Sequence, residues 1–444
     1  MKVTLINHSS LLFKISNYTF LTDFWNESPA FGSWLPSALP FYNPTYLASL
    51  SYNKNFFLVI SHAHDDHIDD YFISKYFNKE VNIIINKFPS PSLKKRLGRM
   101  GFKNIISIED KITDFKDFQI ISIFDENLSN DDCGLTFRDE KYCIHHGNDN
   151  WFKLNTVNIK KLKEFSLNRK FLYASQTNSA AGHPLTYPQY ENSNKILKEK
   201  VKKMLVAGLE NIEDIEADYF LPYAGYSKAY VKNQTYEFDS FNPTYENLVD
   251  LVKNDNIQNI DKMLNIFPGG TINLDDGKVE YPFEFNPNKL IEINDKFLKN
   301  ESIINKCDTF RKDFIDIIKD EKEISDYLLK FNNFVLDYLD RYPNFYSTII
   351  GKKIKFRITN DDSAEISSAI EIGTGNYLSN EEGVNKEFLI PNKLFKALLD
   401  KKIIFENLYT GFHAKVFRYP IEKHNRDIIR YINMFGYKYK NQKD

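Results

Sequence analysis

Cysteine is scarce in this sequence: Cys133, Cys143 and Cys307 are the only three in 444 residues. Three scattered thiols build no disulfide framework, and a reducing cytoplasm is the expected setting. No run of about 18 apolar residues occurs, so no membrane-spanning helix is expected and a membrane is not the partner. The opening MKVTLINHSS lacks a basic segment leading into a long apolar one, so no secretory signal is expected either. Charge of one sign is not in surplus. A net charge of −2 gives no electrostatic case for nucleic acid. The Lys-rich stretch Lys195–Lys203 is interrupted by Glu199 and carries apolar residues at helical spacing, which is the pattern of a solvated helix face. No G-x-G-x-x-G fingerprint follows a strand-like run, so the chain offers no visible site for flavin or nicotinamide.

Apolar and aromatic residues are plentiful. They make up 42% and 15% of the chain, enough for a sizeable core. At roughly 100–200 residues per domain, two or three domains are expected. Alternating runs at Val3–Ile6, Leu11–Ile15 and Tyr18–Thr22 read as strands. A long loop punctuated by proline follows, Asp23–Pro44, of the kind that caps or serves a site. Phe56–Ile60 (FFLVI) reads as a buried strand, Tyr71–Phe77 and Pro91–Met100 as helices, and Val81–Ile85, Phe118–Ile123, Leu135–Phe137 and Tyr142–Ile144 as strands. Glu191–Leu209 is spaced like an amphipathic helix, and Tyr219–Tyr223 returns as a strand. This alternation indicates an α/β layered fold. Beyond about residue 240 the character shifts. Asn242–Lys330 reads as charged and mostly helical, Lys353–Ile358, Ala364–Ile372 and Glu387–Ile390 as a small β-meander, and Asn392–Lys440 as helical.

The strongest chemical signal is His62-Ala63-His64-Asp65-Asp66-His67, directly after the FFLVI strand. Imidazoles and carboxylates packed so densely need hydrogen bonds or a metal if they are buried. At a strand end, alternating side chains can converge on one point. Neutral imidazole nitrogens with a carboxylate suit zinc or iron. Asp66 can be a ligand, or it can orient or deprotonate a metal-bound water. Asp65 falls on the off-beat and is expected to point away. The plain alternative is a polar surface turn.

H-x-H-x-D-H after an apolar strand resembles the signature of the metallo-β-lactamase superfamily. Within it, the sequence resembles the catalytic domain of the CMP-N-acetylneuraminate hydroxylases. The similar stretches are LTDFWNESPAFGSW (21–34), SHAHDDHI (61–68), NDDCGLTF (130–137), AAGHPLTY (180–187) and ADYFLPYAGY (217–226). Weaker similarity runs through FNPTYENLVDLV (241–252), PGGT (268–271) and LYTGFHAKVFRYP (408–420). The resemblance implies an αββα sandwich over residues 1–240 with the metal site at one edge of the sheets, and an accessory α+β region over 241–444. One departure is plain. The hydroxylases carry a Rieske domain with C-x-H and C-x-x-H. Cys143-Ile-His145 matches the first half and the same Cys143 also precedes x-x-His146, but neither Cys133 nor Cys307 stands in either pattern, so the second cysteine is lacking and no Rieske centre can form.

The resemblance also implies further ligands. A third histidine for the first metal would fall after Phe118–Ile123, where Asp125, Glu126 and Asn127 stand instead. A bridging carboxylate would follow Tyr142–Ile144, making Asp149 the candidate, with His145 or His146 as an imidazole. The last histidine is missing from LPYAGY (221–226), and His183 is the candidate to replace it. His8 resembles a histidine placed near the metal in relatives, although a satisfied structural role fits it equally. Trp25 and Trp34 can wall a substrate pocket or cap the core. Asp23 can orient a ligand histidine from behind. Gly269-Gly270 reads as a tight turn more readily than as a phosphate loop, and His413 and His424 as structural.

Two chemistries fit. As the resemblance implies, two iron ions would hydroxylate an N-acyl group on a small-molecule substrate, a sugar or sugar nucleotide. A separate iron–sulfur or flavin reductase would then supply electrons. As in most of the superfamily, a metal would instead activate water against a phosphodiester, lactone or amide. A degenerate metal-binding protein without catalysis is the third alternative, because the usual third and last histidines are absent.

Overall fold

Alternation within the strands decides the architecture. The computed structural model describes residues 1–26, 28–36, 43–88, 90–124, 133–150, 152–177, 182–229, 248, 251–252, 257–282, 305, 307, 310, 312–340, 347–359, 365–378, 383–421 and 426–441. Among these the strands are, in chain order, β1 (Lys2–Asn7), β2 (Ser10–Ile15), β3 (Tyr18–Thr22), β4 (Trp34–Pro36), β5 (Phe56–Ile60), β6 (Asn82–Asn86), β7 (Asn104–Ile108), β8 (Thr113–Asp114), β9 (Gln119–Phe124) and β10 (Cys133–Arg138). Then come β11 (Tyr142–His146), β12 (Lys170–Gln176), β13 (Tyr219–Tyr223), β14 (Ser227–Ala229), β15 (Thr271–Asn273), β16 (Val279–Glu280), β17 (Lys353–Thr359), β18 (Glu365–Glu371), β19 (Lys386–Pro391) and β20 (Lys415–Arg418). One sheet runs β16-β15-β1-β2-β3-β5-β6-β7 and a second β13-β12-β11-β10-β9-β8.

Every second residue of the first sheet, including Val3, Leu5, Phe13, Phe20, Phe57 and Val59, meets Ile120, Leu135, Phe137, Ile144 and Leu172 of the second. The intervening residues Leu21, Phe56, Leu58, Ile60, Ile83 and Ile85 face outward. There they pack on helices α1 (Pro44–Leu50), α2 (Asp70–Tyr76) and α3 (Ser92–Arg99). On the far side Ile121, Cys143, Phe171, Tyr173 and Phe220 pack on α4 (Thr156–Ser166) and α5 (Ser193–Ile215). The result is an αββα sandwich, with a strand period of two sorting each residue to one layer or the other.

The C-terminal region has its own core. A sheet in the order β18-β17-β19-β20 packs on α6 (Glu321–Leu339), α7 (Asn392–Leu399) and α9 (Arg426–Asn441), with α8 (Phe405–Tyr409) beside them. Three expectations need correction. The first sheet does not stop near residue 240, because β15 pairs with β1 and carries the sheet on to Glu280. The expected meander is not one: β17 pairs antiparallel with β18 but parallel with β19. The long connection from β18 to β19 lets the chain cross to the other side of β17, which a hairpin turn would not allow. Residues 392–440 are not uniformly helical, since β20 pairs with β19 in their midst. Gly269-Gly270 is a tight turn: Gly269 has φ +93° and its N–H donates to Leu5 O at 2.7 Å.

The topology gathers one set of strand ends. β3, β5 and β6 are parallel, and β1 runs the same way through two antiparallel steps. Their C-terminal ends therefore bring His8, Asp23 and Ser61 to one edge of the first sheet. The ends of parallel β11, β12 and β13 face them from the second.

Candidate metal centre

At that edge the H-x-H-x-D-H turn folds into two groups. His62, His64 and Asp149 form one, and His8, Asp66 and His67 the other. Within each, ligand-type atoms lie within 4.8 Å of one another. Asp149 is split between them: Oδ2 lies 3.8 Å from His62 Nε2, and Oδ1 lies 3.3 Å from His67 Nε2. In the second group Asp66 Oδ2 lies 3.4 Å from His8 Nε2 and 3.9 Å from His67 Nε2. His8, Asp66 and His67 are buried.

The residues fit a metal. His8 Nδ1 and Nε2, Asp66 Oδ1, His67 Nε2 and Asp149 Oδ1 are all buried without a hydrogen-bond partner. Orphaned polar atoms are rare in a protein interior, and here they converge in one place. The donor set of imidazoles and carboxylates is that of zinc or iron. The electrostatics agree. Burial opposes a charge on His67, but Asp149, Asp66 and Asp23 together push its basicity well above the ordinary value. Burial likewise opposes a charge on His64, yet Glu406 raises it to about 10. Burial and the neighbouring His67 and His64 hold His62 well below its ordinary value. The carboxylates thus draw positive charge to the cluster.

Behind these groups lies a network centred on Asp23. Its Oδ2 accepts from His67 Nδ1 at 2.8 Å, His146 Nε2 at 2.8 Å and Ser61 Oγ at 2.7 Å, while Oδ1 accepts from Ser61 N at 2.8 Å. Asp23 thus holds His67 by Nδ1 and leaves Nε2 facing the centre, the arrangement by which a carboxylate orients a histidine. Burial works against its charge, but His146 and His67 outweigh burial and hold the carboxyl well below its ordinary value. Non-glycine residues with positive φ cluster here, His8 at +25°, Asp23 at +40° and Asn148 at +41°, as is common at functional sites.

His146 is not placed as a ligand. Its Nε2–H donates to the Asp23 carboxylate at 2.8 Å, which leaves Nδ1 to accept from Tyr223 Oη at 2.7 Å. Both nitrogens are engaged. His145, on the opposite face of β11, turns to the helices, bonds Thr136 Oγ1 at 2.8 Å and stacks on Tyr173. Burial and the adjacent His146 push it down to about 3. His183 is not brought to the centre either; it packs against Tyr187 and Tyr190. Trp25 and Trp34 are fully buried. Their N–H groups donate to Ser28 O and Thr410 O, and Trp25 backs His8 edge-on. With no face toward solvent they cap the core instead of walling a pocket. His413 is buried against Phe310. Asp125, Glu126, Asn127 and His424 lie outside the described residues.

Sequence reasoning missed Arg96 and Glu406. Arg96, on α3, clamps the metal turn: Nη1 donates to Ala63 O at 2.5 Å, Nη2 to Asp65 Oδ1 at 3.0 Å and Nε to Asp70 Oδ2 at 2.8 Å. Asp65 thus points away from the centre, as expected. Nothing in Pro91–Met100 distinguishes Arg96 from its basic neighbours. Arg96→Ala is expected to destabilise the protein by about 2 kcal/mol, the scale for hydrogen bonds to charged groups. Arg96→Lys should recover little of this, because an ammonium cannot span three acceptors. Denaturant midpoints of the two variants check both statements.

No family model matches the chain. It is 29% identical over 112 residues to a candidate Rieske 2Fe-2S iron–sulfur protein of Mycolicibacterium smegmatis, covering 25% of this chain and 21% of that one. It is 28% identical over 112 residues to another, from Mycobacterium tuberculosis, with the same coverage. The match thus spans about a fifth of the length of those relatives. Among solved structures, the isothiocyanate hydrolase from Delia radicum gut bacteria is 17% identical, with a TM-score of 0.42, over 62% of this chain and 98% of that one. CmlA, a diiron β-hydroxylase from Streptomyces venezuelae, is 13% identical, with a TM-score of 0.38, over 57% of this chain and 51% of that one. The sandwich rests on the chain's own strand pairing and cores.

Proposed function

We propose that the chain is a dinuclear metalloenzyme that hydroxylates a C–H bond with O2. Asp149 carries the two-metal reading, since its oxygens are shared between both groups. Residue type supports the choice of chemistry. Each group offers two imidazoles and one carboxylate, the set that leaves positions open on non-haem iron in oxygenases. Iron held by these side chains would supply O2 activation. The protein's part is to hold and aim the ligands, through Asp23 on His67 and Arg96 on the turn, and to keep them in a buried site.

The balance R–H + O2 + 2 e⁻ + 2 H⁺ → R–OH + H2O requires two external electrons. With three scattered cysteines, of which only Cys143 stands in a C-x-H or C-x-x-H pattern, the sequence shows no Rieske iron–sulfur site. A separate iron–sulfur or flavin protein is the proposed donor. The partial likeness to proteins named for a Rieske centre supports such a coupling. The proposed substrate, an N-acyl sugar or sugar nucleotide, rests on the sequence resemblance.

One observation favours a second reading. Two imidazoles and a carboxylate also hold catalytic zinc in hydrolases, and the proposed base in that reading is Asp66, whose Oδ1 is buried without a hydrogen-bond partner. The protein, purified aerobically and anaerobically, would be analysed for metal and then incubated with substrate under ¹⁸O2. The oxygenase reading expects iron, no turnover with NADH and O2 alone, and a product labelled from ¹⁸O2 once a reductase and iron–sulfur partner are added. Zinc, with product oxygen drawn from water and no need of reductant, would overturn it in favour of the hydrolase.

A further inference from the structure

One carboxylate reaches the metal turn from outside the sandwich. Glu406 lies on α8, 6% exposed, in the C-terminal region. Its Oε1 is 3.1 Å from His64 Nε2, and Tyr437 Oη, on α9, donates to its Oε2. The other nitrogen of the same ring, His64 Nδ1, lies 2.7 Å from His62 Nε2, inside the first group. A neutral imidazole has one N–H and one lone pair. Once the ring gives up its Nδ1 proton to a metal, a carboxylate at Nε2 keeps the remaining proton there and leaves the Nδ1 lone pair directed at the group that holds His62 and Asp149. Asp23 does the same for His67 with the nitrogens reversed, Nδ1 held and Nε2 facing inward.

The segment around Glu406 is fixed hard against the sandwich. Ser33 Oγ donates to Gly411 O at 2.6 Å and Trp34 Nε1 to Thr410 O at 2.8 Å. A Cβ on Gly411 would collide with Phe31 O and Asn407 O, so only glycine permits this approach.

We propose that Glu406 is the positioning residue of the first metal position, setting the His64 tautomer from the C-terminal region so that this region is an integral part of the metal centre. The proposal rests on the reading that the H-x-H-x-D-H turn binds metal. Metal-ligating histidines commonly donate their second N–H to a carboxylate, and losing that partner typically weakens metal binding by about 10–100-fold.

The test is titration of the full-length, metal-stripped chain with Co²⁺, whose visible absorption reports occupancy without any turnover. Wild type should fill two positions. Glu406→Ala should weaken one of them by about 10–100-fold and leave the other unchanged. Glu406→Gln, which keeps the volume but not the charge, should weaken the same position by less. Tyr437→Phe, which removes the support of Oε2, should shift it in the same direction. If Glu406 only docks the C-terminal region, Glu406→Ala will lower the melting temperature of the metal-free chain and leave the isotherm unchanged. That result overturns the proposal and leaves the metal centre standing. Failure of wild type to bind Co²⁺ overturns the metal centre, and the proposal with it.

Discussion

Asp149→Ala is expected to strip both metal positions in one step, whereas His62→Ala with His64→Ala should empty the first and spare the second. The asymmetry follows from geometry. His62 and His64 lend their nitrogens to one group, but Asp149 turns Oδ2 to that group and Oδ1 to the other. Changes one layer further out typically weaken metal binding by about 10–100-fold. Removing a shared carboxylate should exceed that at each position, because two cations held close together need the negative charge between them. Elemental analysis after dialysis against a weak chelator provides the measurement. Undiminished metal in Asp149→Ala would show that the two groups do not share this residue. A loss confined to one position would reduce Asp149 to an ordinary ligand. Asp149→Asn adds a control: the amide keeps the shape and one acceptor but no charge, so it should behave almost as badly as alanine.

Local features of the site were legible in the sequence, and long-range ones were not. H-x-H-x-D-H could be read because its members are contiguous and follow Phe56–Ile60, a strand whose limits agree residue for residue. Asp23 and Asp149 could be placed because each follows a strand whose end lies at the same edge. His146 was misplaced for a definite reason. Ending β11 at Ile144 puts both histidines in a loop, whereas the strand runs through His146 and its period of two separates them. His146 shares the inner face with Ile144 and meets Asp23, while His145 turns outward with Cys143. His8 was balanced between ligand and structural histidine, since one residue in a turn carries no pattern. Only the sheet order, which brings the C-terminal ends of β1 and β5 to the same edge, puts it beside Asp66. Glu406 lies 342 positions from His64 in the chain, a separation no local pattern spans; its one trace is a carboxylate within the apolar run Ile403–Phe412, and it is buried there.

Asp23→Asn is expected to weaken the second metal position by about 10–100-fold and to destabilise the fold as well. Asp23 accepts four hydrogen bonds in a fully buried place, from Ser61 N, Ser61 Oγ, His67 and His146. An asparagine can accept through its single oxygen, but its amide would present N–H groups to donors. At least one of these donors, Ser61 N or the groups bonded to Oδ2, would then be left without an acceptor in the interior. Breaking a buried charged network from one side costs about 3–5 kcal/mol. The damage should be uneven between the metals. His67 loses its carboxylate partner at Nδ1, whereas His64 keeps Glu406. Isotherms for the variant should therefore show the second position weakened and the first nearly intact, the mirror image of Glu406→Ala. The pH dependence has a definite sign. The folded-state carboxyl of Asp23 titrates well below its ordinary value, so its contribution is full above the ordinary carboxylate range and is lost only as the pH falls through that lower folded value. The stability gap between the metal-free wild type and Asp23→Asn should accordingly stay wide near neutrality and close in acid. A gap that is absent at neutral pH, or that widens as acid is added, would mean that Asp23 is not the charged hub of this network.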